Sequence, residues 1–188
     1  MNQKKVYIIL LFLVINITSA HHTPNLNTIY KELNLSLEEV QDSIVIEVEQ
    51  LVSIGKNVLG KEIFLSKECA ESWRKMKHDA MQDSITISVL SGFRSYNKQY
   101  SIIKNKINRG MNLKQILQEN KLPGLSHHHS GNAIDIISNS YKLSVDFEKT
   151  QAYLWLTQNA HKYGFYLQYP KNNKSGIMFE PWHWYFKE

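Results

Sequence analysis

The chain has 188 residues, a net charge of +5 and 43% hydrophobic residues, which suits one globular domain with its own core and excludes a low-complexity or disordered polymer. Its 22 basic residues form no cluster of the kind that marks a nucleic-acid surface, so no nucleic acid is expected as partner. The single cysteine, Cys69, excludes a disulfide within the chain.

The first twenty residues read as a secretory signal. Lys4 and Lys5 form a basic start, Val6 to Ile17 is almost wholly apolar, and Thr18-Ser19-Ala20 supplies small residues for cleavage after Ala20. The apolar run is short for a span of about 20 residues. The expectation is an exported protein, periplasmic or extracellular, with one domain from 21 to 188 and no stable membrane association once the signal is gone. Loss of two lysines and no acids takes the net charge from +5 to +3. That mild charge suits an anionic matrix such as a cell wall. A monomer is expected.

Residues 21 to 36 are polar, and His21 and His22 would begin the mature chain. From Leu37 to Val52 the pattern is mixed: SLEEVQDS has helical spacing and IVIEV alternates like a strand. Ser66 is a candidate N-cap for a helix over Glu68 to Gln82, with Cys69, Trp73, Met76, Ala80 and Met81 facing the core. Ser84 to Leu90 alternates as a strand and opens into the loop Ser91-Gly92-Phe93-Arg94-Ser95. A helix follows over Tyr96 to Arg109, stopped by Gly110. Asn112 and Gln115 have the spacing of a capping box.

Pro123-Gly124 then delivers SHHHSGNAID, Ser126 to Asp135. Its strand, Asn132 to Ile137, places Ala133, Asp135 and Ile137 on one face. Asp135 lies between Ile134 and Ile136, where a carboxylate must be paired, hydrogen-bonded or on a metal. If the backbone is extended, His127 and His129 point away from His128 and belong to the rim. Gly131 admits a close backbone approach. An amphipathic helix over Thr150 to Tyr163 stops at Gly164, a strand covers Phe165 to Tyr169, and Ile177 to Phe186 is a last strand region interrupted at Pro181. The fold class is α+β: a small, mainly antiparallel sheet with helices packed on one side.

The chemistry gathers in two segments. A catalytic zinc needs three protein ligands and an open position. His128 and Asp135 are two candidates, and the C-terminal EPWHWYF offers His183 with Glu180 beside it. Taken alone, EPWHWYF also fits an aromatic core strand with a hydrogen-bonded histidine. In a regular strand Glu180 and His183 would face opposite sides, so a kink or bulge at Pro181 is needed to bring both to one metal. Arg94 offers a planar fork for a carboxylate or an oxyanion, and Gln99 stands within reach of the same cleft.

SGFRSYNKQ, SHHHSGNAID and EPWHWYF, in that order, resemble the VanY-type D-alanyl-D-alanine carboxypeptidases. These sit in a wider zinc-peptidase group with lysostaphin-type enzymes and the hedgehog signalling domain. The family pattern SGxRSxxxQ, SxHxxGxAxD and ExWH is met at Ser91, Gly92, Arg94, Ser95, Gln99, Ser126, His128, Gly131, Ala133, Asp135, Glu180, Trp182 and His183. The likeness runs from Leu51 to Phe186. It implies a hedgehog/D-Ala-D-Ala peptidase-like fold and one zinc ion held by His128, Asp135 and His183. It implies Glu180 as general base, Arg94 acting on the scissile carbonyl or the substrate, and Gln99 and Ser126 lining the subsite for the terminal residue. It selects His128 from the histidine run, because only His128 fits the spacing to Gly131 and Asp135.

The implied activity is zinc-dependent D,D-carboxypeptidase hydrolysis, removing the terminal D-Ala of a peptidoglycan stem peptide. Alternatives within the group are a D,D-dipeptidase or a peptidoglycan endopeptidase. An alternative of another class is a zinc-holding wall-binding module without catalysis. One departure from relatives stands out: many carry an arginine shortly after the Trp-His pair, where this chain has Tyr185 and Phe186.

Overall fold

The computed structural model describes residues 26–188, so the stretch read as a signal and His21-His22 lie outside the described residues. The helices are α1 (Leu26–Glu32), α2 (Lys67–Gln82), α3 (Tyr96–Asn108), α4 (Leu113–Ile116) and α5 (Gln151–Asn159). The strands are β1 (Val52–Lys56), β2 (Glu62–Leu65), β3 (Ser88–Ser91), β4 (Ala133–Ile137), β5 (Phe165–Leu167) and β6 (His183–Phe186). β1 and β2 form an antiparallel hairpin, and the other four strands form an antiparallel sheet in the order β3-β4-β6-β5. This is the α+β architecture expected.

The register of the sheet sorts its two faces. Val89 is opposite Ile136, and Ile134 is opposite Trp184. These side chains join α2 residues Cys69, Trp73 and Met76 and α5 residues Trp155 and Leu156 in one buried core. Burying each large apolar chain there contributes roughly 1.5–3 kcal/mol, the main stabilising term of the sheet. On the other face Asp135 is opposite both Ser91 and His183. A separate apolar cluster, with Ile29, Tyr30, Ile103 and Ile116, ties α1, α3 and α4 together.

Local chemistry explains where elements start and stop. The Ser66 hydroxyl caps α2 by accepting from Cys69 N, and Asn112 with Gln115 forms the capping box. α5 gives way to a 3-10 turn, Ala160–Tyr163, which ends at left-handed Gly164. Several expected boundaries shift. β3 begins at Ser88, not Ser84, because Ser84 takes a left-handed φ of 60° and Ile85 N bonds back to Ala80 O, closing the end of α2. β5 ends at Leu167, and only His183–Phe186 of the last region is strand. Met81 is not a core residue: it is 63% exposed, since it follows Ala80 by one position and so turns off the buried stripe.

The ambiguous stretch after Leu37 is a 3-10 turn, Glu38–Ser43, followed by irregular chain. IVIEV is not a strand of any sheet. Its backbone instead braces the histidine run, with Val45 N donating to Gly124 O at 2.7 Å and Val48 N to His129 O at 3.0 Å.

Candidate active site

The histidine run is not extended. His127–Ser130 is a 3-10 turn capped by the Ser126 hydroxyl, which accepts from His128 N, and ended by Gly131 at φ 72°. The three rings therefore diverge instead of alternating. A Cβ on Gly131 would lie 2.7 Å from Ser66 N, so the turn is pressed against the start of α2.

His128 is buried against the sheet. Its Nδ1 lies 2.7 Å from Gly92 O, and a carbonyl can only accept, so Nδ1 carries the proton. Nε2 then turns a lone pair to Asp135 Oδ2 at 3.3 Å. Asp135 Oδ1 faces His183 Nδ1 at 2.9 Å, the two residues being cross-strand neighbours. Candidate ligand atoms of His128, Asp135 and His183 lie within 4.8 Å of one another. Burial keeps His128 neutral, pushing its pKa down to about 4 against the opposing pull of Asp135. Burial alone would push the Asp135 carboxyl up, but positive charge placed at its imidazole neighbours and a hydrogen bond donated by His183 Nδ1 outweigh that and hold it well below the carboxylate range.

These residues fit a divalent zinc ion. A neutral imidazole lone pair facing an ionised carboxylate in a dry site is repulsive unless a cation shares it. His183 Nε2 is also buried without a hydrogen-bond partner. Two imidazole nitrogens and one carboxylate form a donor set that zinc accepts, with one coordination position left over.

Glu180 is brought alongside by a turn, not a strand: His183 N donates to Glu180 O across Pro181 and Trp182. Its Oε2 stands 4.0 Å from His183 Nδ1. Glu180 is 8% exposed, and burial, with the charge of Asp135, pushes the pKa of its carboxyl up to about 8, while Arg94 opposes. Arg94 holds its guanidinium 3.6 Å from Asp135, with Nη1 donating to Gln99 Oε1 at 2.8 Å and Nη2 to Ser91 Oγ at 3.1 Å. Gln99 is 1% exposed and donates from Nε2 to Lys121 O at 2.5 Å. Arg94, Gln99, Ser126, Glu180 and the three candidate ligands line one cleft of about 330 Å³.

The other two histidines have different tasks. His129 is buried, with Nδ1 donating to Arg94 O at 2.5 Å and Nε2 accepting from Gly124 N at 3.1 Å. It holds the Arg94 backbone, a role the extended reading of the run hid. His127 packs on Tyr185 at 4.7 Å and on Tyr169 at 6.3 Å between ring centroids. Tyr185 is not among the residues that line the cleft; its ring packs against His127. Sequence reasoning missed Tyr169, which stacks on His183 at 4.9 Å, and it named Gly92 only as part of the family pattern, without the role of its carbonyl, which orients His128. Both lie beyond strand ends, Gly92 after β3 and Tyr169 after β5, and only their tertiary contacts reveal these roles. A Cβ on Gly92 would fall 2.7 Å from Phe64 O, so this glycine lets β2 pack against the loop that carries Arg94, where Phe93 N donates to Phe64 O at 2.8 Å.

An antiparallel sheet carrying a His-Asp-His cluster on one face, with a carboxylate beside it, defines a candidate metallohydrolase centre. Comparison with known proteins sharpens this. The VanY D-alanyl-D-alanine carboxypeptidase family model matches residues 62–188, and the chain belongs to that family. The chain is similar to a D-alanyl-D-alanine carboxypeptidase of Enterococcus faecium, 32% identical over 165 residues, 85% of this chain and 50% of that protein. It spans about half the length of the curated relatives it matches. Among solved structures, the LdcB LD-carboxypeptidase, described in connection with peptidoglycan recognition, is similar at TM-score 0.68 and 30% identity, over 74% of this chain and 69% of that one. The zinc-bound D,D-pentapeptidase VanY of vancomycin resistance shares the fold at TM-score 0.59 and 23% identity, over 77% of this chain and 80% of that one.

Proposed function

We propose that this chain is a zinc-dependent carboxypeptidase that removes the terminal D-alanine from peptidoglycan stem peptides. The observation that carries the reading is the convergence of His128, Asp135 and His183 on one sheet face with Glu180 in the same cleft. His128, Asp135 and His183 would hold the zinc. When bound, zinc supplies a Lewis acid for the scissile carbonyl and makes water a nucleophile near neutral pH.

Glu180 takes the proton of the attacking water and passes it to the leaving amine. Its raised proton affinity, set by burial and by Asp135, suits both halves of that task. Arg94 is held by Ser91, Gln99 and Asp135 with little rotamer freedom left, so its guanidinium meets the developing oxyanion without reorganisation. His129 keeps the Arg94 backbone in place, and Trp182 forms part of the cleft wall.

A second reading concerns the bond cut. Likeness to the LdcB LD-carboxypeptidase supports hydrolysis at an L,D bond instead. The substrate in either case is a wall peptide, which accords with export and with a mature chain beginning at His21; N-terminal sequencing of extracytoplasmic protein tests this. No helix among the described residues is long and apolar enough to cross a membrane. The deciding experiment is mass spectrometry of products from synthetic pentapeptide, tetrapeptide and cross-linked stems. Loss of one alanine from the pentapeptide supports the D,D reading and loss from the tetrapeptide alone the L,D reading. Internal cuts would indicate an endopeptidase, and no product from any stem leaves the binding module.

A further inference from the structure

We propose that Lys121 anchors the free C-terminal carboxylate of the peptide and so makes this cleft an exopeptidase site. The inference rests on the peptidase reading of the same cleft. Lys121 lines that cleft together with Arg94, Gln99, Ser126 and the His-Asp-His cluster. The other cations there are already matched. Lys106 Nζ sits 2.7 Å from Glu119 Oε2, and Arg94 is engaged with Asp135, Gln99 and Ser91. None of the ion pairs among the described residues involves Lys121. Its ammonium, which has three donors, reaches the Ser175 carbonyl at 3.1 Å.

Half-burial lowers the proton affinity of Lys121, as expected for a cation removed from water without a counter-ion. An incoming carboxylate removes that penalty. The position of the residue is also set. Its own carbonyl accepts from Gln99 Nε2 at 2.5 Å, and Gln99 Oε1 accepts from Arg94, so the Lys121 backbone is tied to the group proposed to face the reacting carbonyl. A second cavity of about 240 Å³ shares Leu143 and Trp182 with the cleft, and includes neither Lys121 nor Arg94. That cavity lies beside the cleft on a side away from Lys121, where the body of a longer peptide would extend. Because Arg94 is held by Asp135, a separate cation for the terminal carboxylate leaves Arg94 to the charge that develops in the reaction.

The test compares a stem peptide ending in a free acid with the same peptide ending in an amide, and with one whose internal carboxylates are amidated. The wild type should prefer the free acid. In Lys121→Met the kcat/KM ratio of acid to amide should fall by about 10–100-fold, the loss expected for a charge-assisted hydrogen bond. Lys121→Arg should restore most of it, and the Gln99 bond, made to the backbone, is left by either change. A ratio unchanged in Lys121→Met overturns the proposal, as does a preference that follows the internal carboxylates and not the terminus. Equilibrium binding of the acid and the amide to the zinc-loaded Glu180→Gln chain, with and without Lys121→Met, makes the same comparison without turnover. A chain that cleaves nothing then refutes the peptidase reading while the binding ratio still decides the role of Lys121: loss of acid preference in Lys121→Met supports it, and equal ratios reject it.

Discussion

Gly131→Ala should destabilise the fold and disturb the site through one contact, and Gly60→Ala is its internal control. Both glycines have nearly the same left-handed φ, +72° and +73°. That conformation costs an L-residue roughly 1–2 kcal/mol. Reduced freedom of the unfolded chain returns about 0.4–1 kcal/mol. At Gly60 a Cβ meets nothing within 4 Å, so the net loss should be about 0.5–1 kcal/mol. At Gly131 the Cβ would lie 2.7 Å from Ser66 N and 3.0 Å from Val48 Cγ1. Ser66 N is itself bonded to Gly131 O at 3.0 Å, so backbone must part from backbone. Overpacking adds about 1–3 kcal/mol, for a total of about 1.5–4 kcal/mol. The movement falls on the turn that carries His128, so zinc affinity should fall as well. Urea unfolding of both variants, with zinc content measured alongside, gives the two losses. Equal destabilisation at the two positions would refute the contact argument.

Other expectations follow from the same geometry. Purified protein should carry about one zinc, lost in His128→Ala and Asp135→Ala but kept in His127→Ala; metal analysis showing the reverse would place the site on a different histidine. Glu180→Gln should keep zinc and fold while turnover drops by about 10²–10⁴-fold, and unchanged turnover would remove Glu180 as base. Arg94→Lys keeps charge but loses the fork; if Arg94 serves the transition state, kcat and kcat/KM fall together, whereas a rise in KM alone would make it a ground-state anchor. Cys69 is fully buried and its thiol is pushed up by burial, so a thiol reagent should label it only as fast as the chain opens. Rapid labelling of the native protein would contradict the packing of α2.

Features that depend on a few neighbouring residues were legible in the sequence. The Ser66 cap, the Asn112–Gln115 capping box, the α3 start and the alternation that turns Asp135 away from Ile134 and Ile136 are set by local hydrogen bonding and period. The resemblance carried by SGFRSYNKQ, SHHHSGNAID and EPWHWYF points to the candidate site residues without any tertiary contact. Tertiary structure decided the rest. The run of histidines is a turn because Val48 N and Gly124 N find His129 as partner and Gly131 accepts a left-handed φ; a pattern of three identical residues carries no such information. IVIEV alternates like a strand, yet its donors are used by the Gly124 and His129 carbonyls, so it joins no ladder. Glu180 and His183 share a cleft because the chain turns across Pro181 before β6 begins. Which lysine lacks a counter-ion, and which histidine braces an arginine, depends on groups far away in sequence. Charge and hydrogen-bond matching are properties of the packed molecule, because water satisfies every such group in the unfolded chain.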